Sequence, residues 1–270
     1  MTDTQKIIKY FAIALAILLI VSIFIGIISA FSSVFYLFGG ADGNVTGDVL
    51  VIYEGDAPRS LDIEIKAAKL SVQKGETFSV SCNNKKITAR MDGDTLEIKD
   101  KSGSLTTKNE TVLTITLPED TAFGAFSLEI GAGDIDIDTL TANVMELEIG
   151  AADFEAGYLA AKTRIDADLG AGDFKVLSGY LNVPDFELGV GKTSITATFE
   201  GDGNFECGVG SFDLVIYGSP SRYTILPASG IGTCTVDGET VSGGTAVGDG
   251  GNVIRIDGGI GKIDVSFLQD

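Results

Sequence analysis

Leu128-Glu-Ile-Gly-Ala-Gly-Asp-Ile-Asp-Ile137 decides the fold, because the phrase recurs. Leu147 opens LEIGAADFEA, Ala167 opens ADLGAGDFKV, Phe186 opens FELGVGKTSI, Phe205 opens FECGVGSFDL, and Ile256 opens IDGGIGKIDV. The first glycine of the five consecutive copies stands at 131, 150, 170, 189 and 208, so the steps are 19, 20, 19 and 19 residues. A period near 20 over so many copies points to similar units stacked on one another, each unable to bury its apolar side alone.

Within a copy the apolar residues alternate. Leu128/Ile130, Leu147/Ile149, Ala167/Leu169, Phe186/Leu188 and Phe205/Cys207 flank the first acid, and Ile135/Ile137, Phe154/Ala156, Phe174/Val176, Thr193/Ile195 and Phe212/Leu214 follow the glycines. Period-2 spacing sends each pair to one side of a strand, and stacking turns the pairs into inward columns. A buried large apolar side chain contributes ~1.5–3 kcal/mol, enough for such columns to hold a stack together. The glycines between the two short strands are the expected structural corners: Gly131 and Gly133, Gly150, Gly170 and Gly172, Gly189 and Gly191, Gly208 and Gly210, Gly259 and Gly261. An earlier copy fits the same frame from Ile63 to Val72, with Lys66 where the first corner glycine would stand. Residues 78–117 then read as further strands or hairpins with displaced corners. Between 215 and 255 the period slips into longer loops, although Ser229-Gly-Ile-Gly-Thr-Cys-Thr-Val236 keeps the corner.

The N-terminus has another character. Tyr10–Phe38 is a run of 29 residues without a charge, longer than the ~20 needed to cross a bilayer core. Lys6 and Lys9 precede it, and no Lys or Arg follows until Arg59, so the positive-inside rule puts residues 1–9 in the cytoplasm and the repeats outside. A cleaved signal peptide is the competing reading, but its apolar core is typically ~7–15 residues. The expected organisation is therefore a cytoplasmic 1–9, a single-pass transmembrane anchor over 10–38, a linker over 39–48 and an extracytoplasmic domain over 49–270. The expected localisation is the cell membrane.

The net charge is −19, and residues 121–270 hold 23 Asp and Glu against 7 Lys and Arg. This balance argues against nucleic acid, whose phosphates call for clustered Lys and Arg. There is no His, which removes the commonest general base and metal ligand. Cysteines at 82, 207 and 234 fall at inward positions of the alternation. They read as buried free thiols, with a Cys207–Cys234 disulfide as the alternative.

The strand end Val112-Leu-Thr-Ile-Thr-Leu-Pro118, the phrase Phe126-Ser-Leu-Glu-Ile-Gly-Ala-Gly-Asp-Ile-Asp-Ile137 and the copies that follow, behind an apolar anchor, resemble the bacterial putative-adhesin β-strand-repeat family, a membrane-anchored domain of unknown function. The resemblance covers roughly residues 49–267. It implies an all-β fold, a right-handed single-stranded parallel β-helix or β-solenoid on the cell surface, and it implies no catalytic residues. Lys66 at a corner and the loops between 215 and 255 depart from the pattern.

Two acidic columns remain for function. Glu64, Glu129, Glu148, Asp168, Glu187, Glu206 and Asp257 share one outward position, and Asp134, Asp153 and Asp173, then Lys192, share another after the corner. A solvated charged face is the plain reading. Asp134, Asp153 and Asp173 are also candidates for Ca²⁺, since carboxylate oxygens suit that ion, although the Ca²⁺-binding β-rolls use a nonapeptide period. No cofactor is otherwise expected. A carboxylate-based polysaccharide enzyme is the remaining alternative, but such sites need an acid and a base set apart in a cleft, and 19-residue steps leave little room for one. The expected function is thus non-enzymatic: binding, adhesion or sensing at the cell envelope. The expected partners are the membrane, through the N-terminal helix, and an envelope polymer or a membrane protein.

Overall fold

Period-2 alternation becomes strand along nearly all of the described chain, which comprises residues 45–102, 110–228 and 230–269 of the computed structural model. The strands in order are β1 (Val45–Gly55), β2 (Ser60–Lys74), β3 (Phe78–Asn84), β4 (Ile87–Asp92), β5 (Thr95–Asp100) and β6 (Val112–Leu117). Then come β7 (Phe123–Ala171), which holds two copies and the first half of a third without a break, β8 (Phe174–Val176), β9 (Gly179–Asn182), β10 (Pro184–Glu200) and β11 (Gly203–Tyr217). The last are β12 (Tyr223–Pro227), β13 (Ile231–Val236), β14 (Glu239–Thr240), β15 (Asn252–Asp257) and β16 (Ile260–Leu268). They form one 16-stranded sheet.

Its middle is parallel and in the expected register. β2 lies along β7 with Glu64 opposite Glu129 and Leu70 opposite Ile135. β10 lies along β11 with Phe186 opposite Phe205 and Gly191 opposite Gly210. All the inward pairs named above are buried except that Cys207 is half-buried. The phenylalanines stack down the core: Phe154 on Phe174 with ring centroids 4.5 Å apart, Phe186 on Phe205 at 5.3 Å, and Phe174 edge-on to Phe186 at 5.8 Å.

The corners explain the glycines. Gly191 has φ 151°, and a Cβ added there would lie 1.8 Å from the Gly172 carbonyl oxygen of the copy beneath. Positive φ and a close backbone approach both demand the absence of a side chain. At Gly131 the demand is the close approach alone, since a Cβ would lie 2.6 Å from the Lys66 carbonyl oxygen. Lys66 itself turns its ammonium onto the Ser102 carbonyl.

The ends differ from the middle. At one end β5 and β6 lie parallel on the first and second halves of β2. Beyond them β4 is antiparallel to β5, β3 is antiparallel to β6, and β1 is antiparallel to β3. At the other end β15 and β16 lie parallel on β11. β12 and β13 lie on β15 and β16 in turn, and β14 closes the edge antiparallel to β13. The copy at 252–268 therefore sits between those at 203–217 and 223–236, out of sequence order.

These pairings correct the expected fold class. The sheet is all-β but mixed, so a right-handed single-stranded parallel β-helix or β-solenoid is not what the strands form. The physical reason is in the turns. Asp237-Gly238, with φ 47° and 81°, and Gly93-Asp94, with φ 59° at Gly93, are two-residue connections that reverse the chain. Such turns join antiparallel neighbours. The expected N-terminal transmembrane helix, and with it the single-pass cell-membrane localisation with a cytoplasmic N-terminus, is corrected as well. No helix among the described residues is long and apolar enough to cross a membrane. Alternation divides their apolar residues into strands, and the helical exception is the three-residue turn Pro220–Arg222. The 10–38 stretch itself lies outside the described residues.

Candidate functional site

Parallel register converts a sequence column into a physical ladder. Glu64 lies opposite Glu129, Asp168 opposite Glu187, Glu187 opposite Glu206, and Glu206 opposite Asp257. All seven acids of this column are exposed, as alternation requires when their neighbours on either side point inward. Beside them runs a second outward column with Asp62, Glu146, Asp166 and Asp185, interrupted by Ser127 and Asn204 and ended by Arg255. Asp185 accepts a hydrogen bond from the Asn204 amide at 3.1 Å.

Cations stand at the margins of this face. Lys99, opposite Glu64 on β5, lies 3.3 Å from Glu97, 3.7 Å from Asp62 and 3.9 Å from Glu64. The hydrogen bond to Glu97, helped by the charges of Asp62 and Glu64, raises the Lys99 ammonium above its ordinary pKa. Arg164 holds Asp166 at 2.5 Å. Among the described residues Glu129, Glu148, Asp168, Glu187 and Glu206 make no ion pair. Stacked strands lie ~4.8 Å apart, and two unit charges at that distance repel by about 1 kcal/mol in water, less in salt. The ladder is thus a standing repulsion that an arriving cation would relieve.

The post-corner column behaves differently. Asp153 accepts the backbone N–H of Asp173 at 2.9 Å, and Asp173 accepts the backbone N–H of Lys192 at 3.1 Å. Each carboxylate thus fastens its copy to the next. Asp134 lies at the same position, opposite Lys69 of β2. Among the described residues no three His, Cys, Asp or Glu side chains come together as a metal would need. Nothing in the phrase Gly-Asp-Phe distinguishes a ligand from such a fastener, and the amide bonds appear only with the stack assembled.

The three cysteines are free. Cys82 is buried, and Cys207 and Cys234 are half-buried. Burial, then the charge of Asp257 and the neighbouring Cys234, pushes the Cys207 thiol up to about 12. Burial raises Cys82 and Cys234 too.

No family model matches the chain. No curated protein matches it in sequence. Solved structures do. A protein described as a putative cell adhesion protein from Clostridium sporogenes is 18% identical, with 82% of this chain and 98% of that chain covered and a TM-score of 0.37. One described as a putative adhesin from Bacteroides fragilis is 14% identical over the same shares, again with a TM-score of 0.37. One described as a putative lipid binding protein from Parabacteroides distasonis is 14% identical over 83% and 98%, with a TM-score of 0.31. With TM-scores this low the likeness carries no functional inference for this chain. The likeness to bacterial putative adhesins read from the repeated phrase is met again among solved structures that bear that description.

Proposed function

We propose that the protein is a non-enzymatic, adhesion-type binding module whose contact surface is the acidic ladder. The observation that carries this reading is the register: exposed carboxylates at Glu129, Glu148, Asp168, Glu187 and Glu206, one per copy and none ion-paired among the described residues. The partner that matches is a polymer or protein surface with positive charges repeated at multiples of the ~4.8 Å strand spacing. A cationic envelope polymer is the form we favour. Recurrence of the acid from copy to copy suits multivalent contact, in which several weak pairings add through proximity. It does not suit an acid and base of distinct character, which catalysis would require.

The test is retention of the full chain on an immobilised linear amino-sugar polymer against its neutral, acetylated counterpart. Wild type is expected on the charged polymer, eluting with salt. The combined variant Glu129→Gln, Glu148→Gln, Asp168→Asn and Glu187→Gln is expected to bind at least tenfold more weakly while remaining folded. Equal binding by the folded variant, or retention of wild type on the neutral polymer alone, sinks the proposal.

A further inference from the structure

The inward column just before the corner shrinks along the stack. It runs Ile65, Ile130, Ile149, Leu169, Leu188 and Cys207, and the offset that pairs Glu206 with Asp257 carries it on to Gly258, which has no side chain. Exposure rises ahead of that change in size, from 1% at Ile130 through 5% at Ile149 to 9% at Leu169 and Leu188. Across the corner the opposing column has phenylalanine at 154, 174 and 212 but the small Thr193 among them. The space left over is a partly open cavity of about 350 Å³. Ile231–Cys234 and Val241–Gly243, from the stretch where the repeat breaks, contribute to its wall.

Three properties define an occupant. The first is shape. The walls come from successive copies between Ile149 and Ile263, so the cavity is drawn out across several strand spacings of ~4.8 Å. A volume of this size drawn out in this way is narrow, with room for one unbranched chain and not for a fused ring system. The second is polarity. The side chains that open into it are mainly aliphatic and aromatic, as in pockets that take apolar ligands, while the backbone of the corner glycines adds polar surface between them.

The third is a buried polar handle: of the hydroxyls that line the cavity, on Thr193, Ser211, Thr233 and Ser242, only that of Thr193 belongs to a buried residue. Thr193 is 7% exposed and lines the cavity, and its hydroxyl has no hydrogen-bond partner among the described residues. Among the described residues no fully buried side-chain oxygen or nitrogen lacks a partner, so this hydroxyl faces the open space. A hydroxyl in that position calls for a donor or acceptor on whatever fills the space. The charged groups lining the cavity are Asp173 and Lys262, and Lys262 is paired with Asp264 at 2.9 Å. The uncompensated charge is therefore that of Asp173, which disfavours an acidic head group.

We propose that this cavity binds one unbranched alkyl chain with an uncharged hydroxyl head, and that the Thr193 hydroxyl is the hydrogen-bond partner of that head. The ladder plays no part in this site, so the two readings stand or fall separately.

The experiment titrates the full chain with 1-decanol by calorimetry, with the unfolding midpoint followed in parallel. Wild type is expected to take up one equivalent saturably and to melt higher when loaded, as ligand linkage requires. Thr193→Val keeps the shape but loses the hydroxyl, and is expected to weaken decanol binding about fivefold, the worth of one neutral hydrogen bond; Thr193→Ser is expected to restore it. Cys207→Leu fills the space that the shrinking column leaves and is expected to abolish uptake in a folded protein. Decanoate is expected to bind at least tenfold more weakly than decanol. Absence of saturable uptake by wild type overturns the proposal, as does undiminished uptake by folded Cys207→Leu or decanoate binding as tight as decanol. If Cys207→Leu does not fold, unchanged affinity in Thr193→Val overturns it.

Discussion

At the scale of single residues, the corner glycines separate two kinds of demand. Gly93 has φ 59° with nothing within 4 Å of an added Cβ, whereas Gly191 combines φ 151° with a carbonyl oxygen 1.8 Å away. Gly93→Ala is expected to cost about 1 kcal/mol, the ordinary penalty for positive φ. Gly191→Ala must push two copies apart and is expected to cost several times that or to prevent folding; denaturant midpoints compare the two. Cys207 yields a pH prediction. Its thiol moves from an ordinary value of 9.0 to about 12 in the fold. A raised value means that the folded state prefers the neutral thiol more than the unfolded chain does. That stability is fully present below pH 9 and is lost as pH rises toward 12. Cys207→Ala is expected to flatten this part of the alkaline decline relative to wild type, read from unfolding midpoints against pH. Glycine columns were legible in the sequence because backbone crowding favours glycine at most corners, with Lys66, Ala68 and Ala152 as departures. The fastening role of Asp153 and Asp173 was not, because their partners are backbone amides that any residue supplies.

At the scale of strands and copies, stability rests on columns that cross the sheet. Phe186 is fully buried between Phe174 and Phe205. Phe186→Ala is expected to cost about 3–5 kcal/mol. The Asp153 bond to the Asp173 amide is exposed, so Asp153→Ala is expected to cost only about 1 kcal/mol and Asp153→Asn less. With midpoints moving ~2–4 °C per kcal/mol in a domain of this size, thermal melts resolve the difference. If Ca²⁺ were held by this column, the same variants would remove a Ca²⁺-dependent rise in midpoint; on the fastening role their effect is the same with Ca²⁺ or chelator. Asp92-Gly93-Asp94 and Asp237-Gly238 are turn signals in the sequence, yet their consequence for the sheet does not follow from them. A turn signal marks where a chain reverses but not which strand it then meets, and the repeats nearby favoured parallel pairing throughout.

At the scale of the whole molecule, charge opposes the stack. The chain carries −19, and the ladder sets like charges on adjacent strands. Raising ionic strength is expected to raise the unfolding midpoint, because screening removes the repulsion. The variant with four neutralised acids is expected to melt above wild type at low salt and to show a shallower salt dependence; a midpoint indifferent to salt in both proteins would refute the ladder as a source of strain. The parallel middle and its period followed from the recurring phrase, and its outward acids from the alternation within each copy. The arrangement of the C-terminal copies did not, because β13 and β16 carry the same Gly-Ile-Gly and Gly-Ile-Gly-type corners and either could stack on β11.

That arrangement sets an order of events during synthesis. The chain emerges at ~5–20 residues per second and N-terminal parts fold first. Residues 223–236 leave the ribosome before 252–268, yet 252–268 is the bed on which they lie. Growth of the stack must therefore halt at β11 for a few seconds, with the last parallel edge bare and 223–236 waiting beside it. If 223–236 docks early it occupies the wrong berth, and β15 and β16 must displace it. A nascent chain arrested after residue 250 is accordingly the form of this protein most exposed to edge-to-edge association.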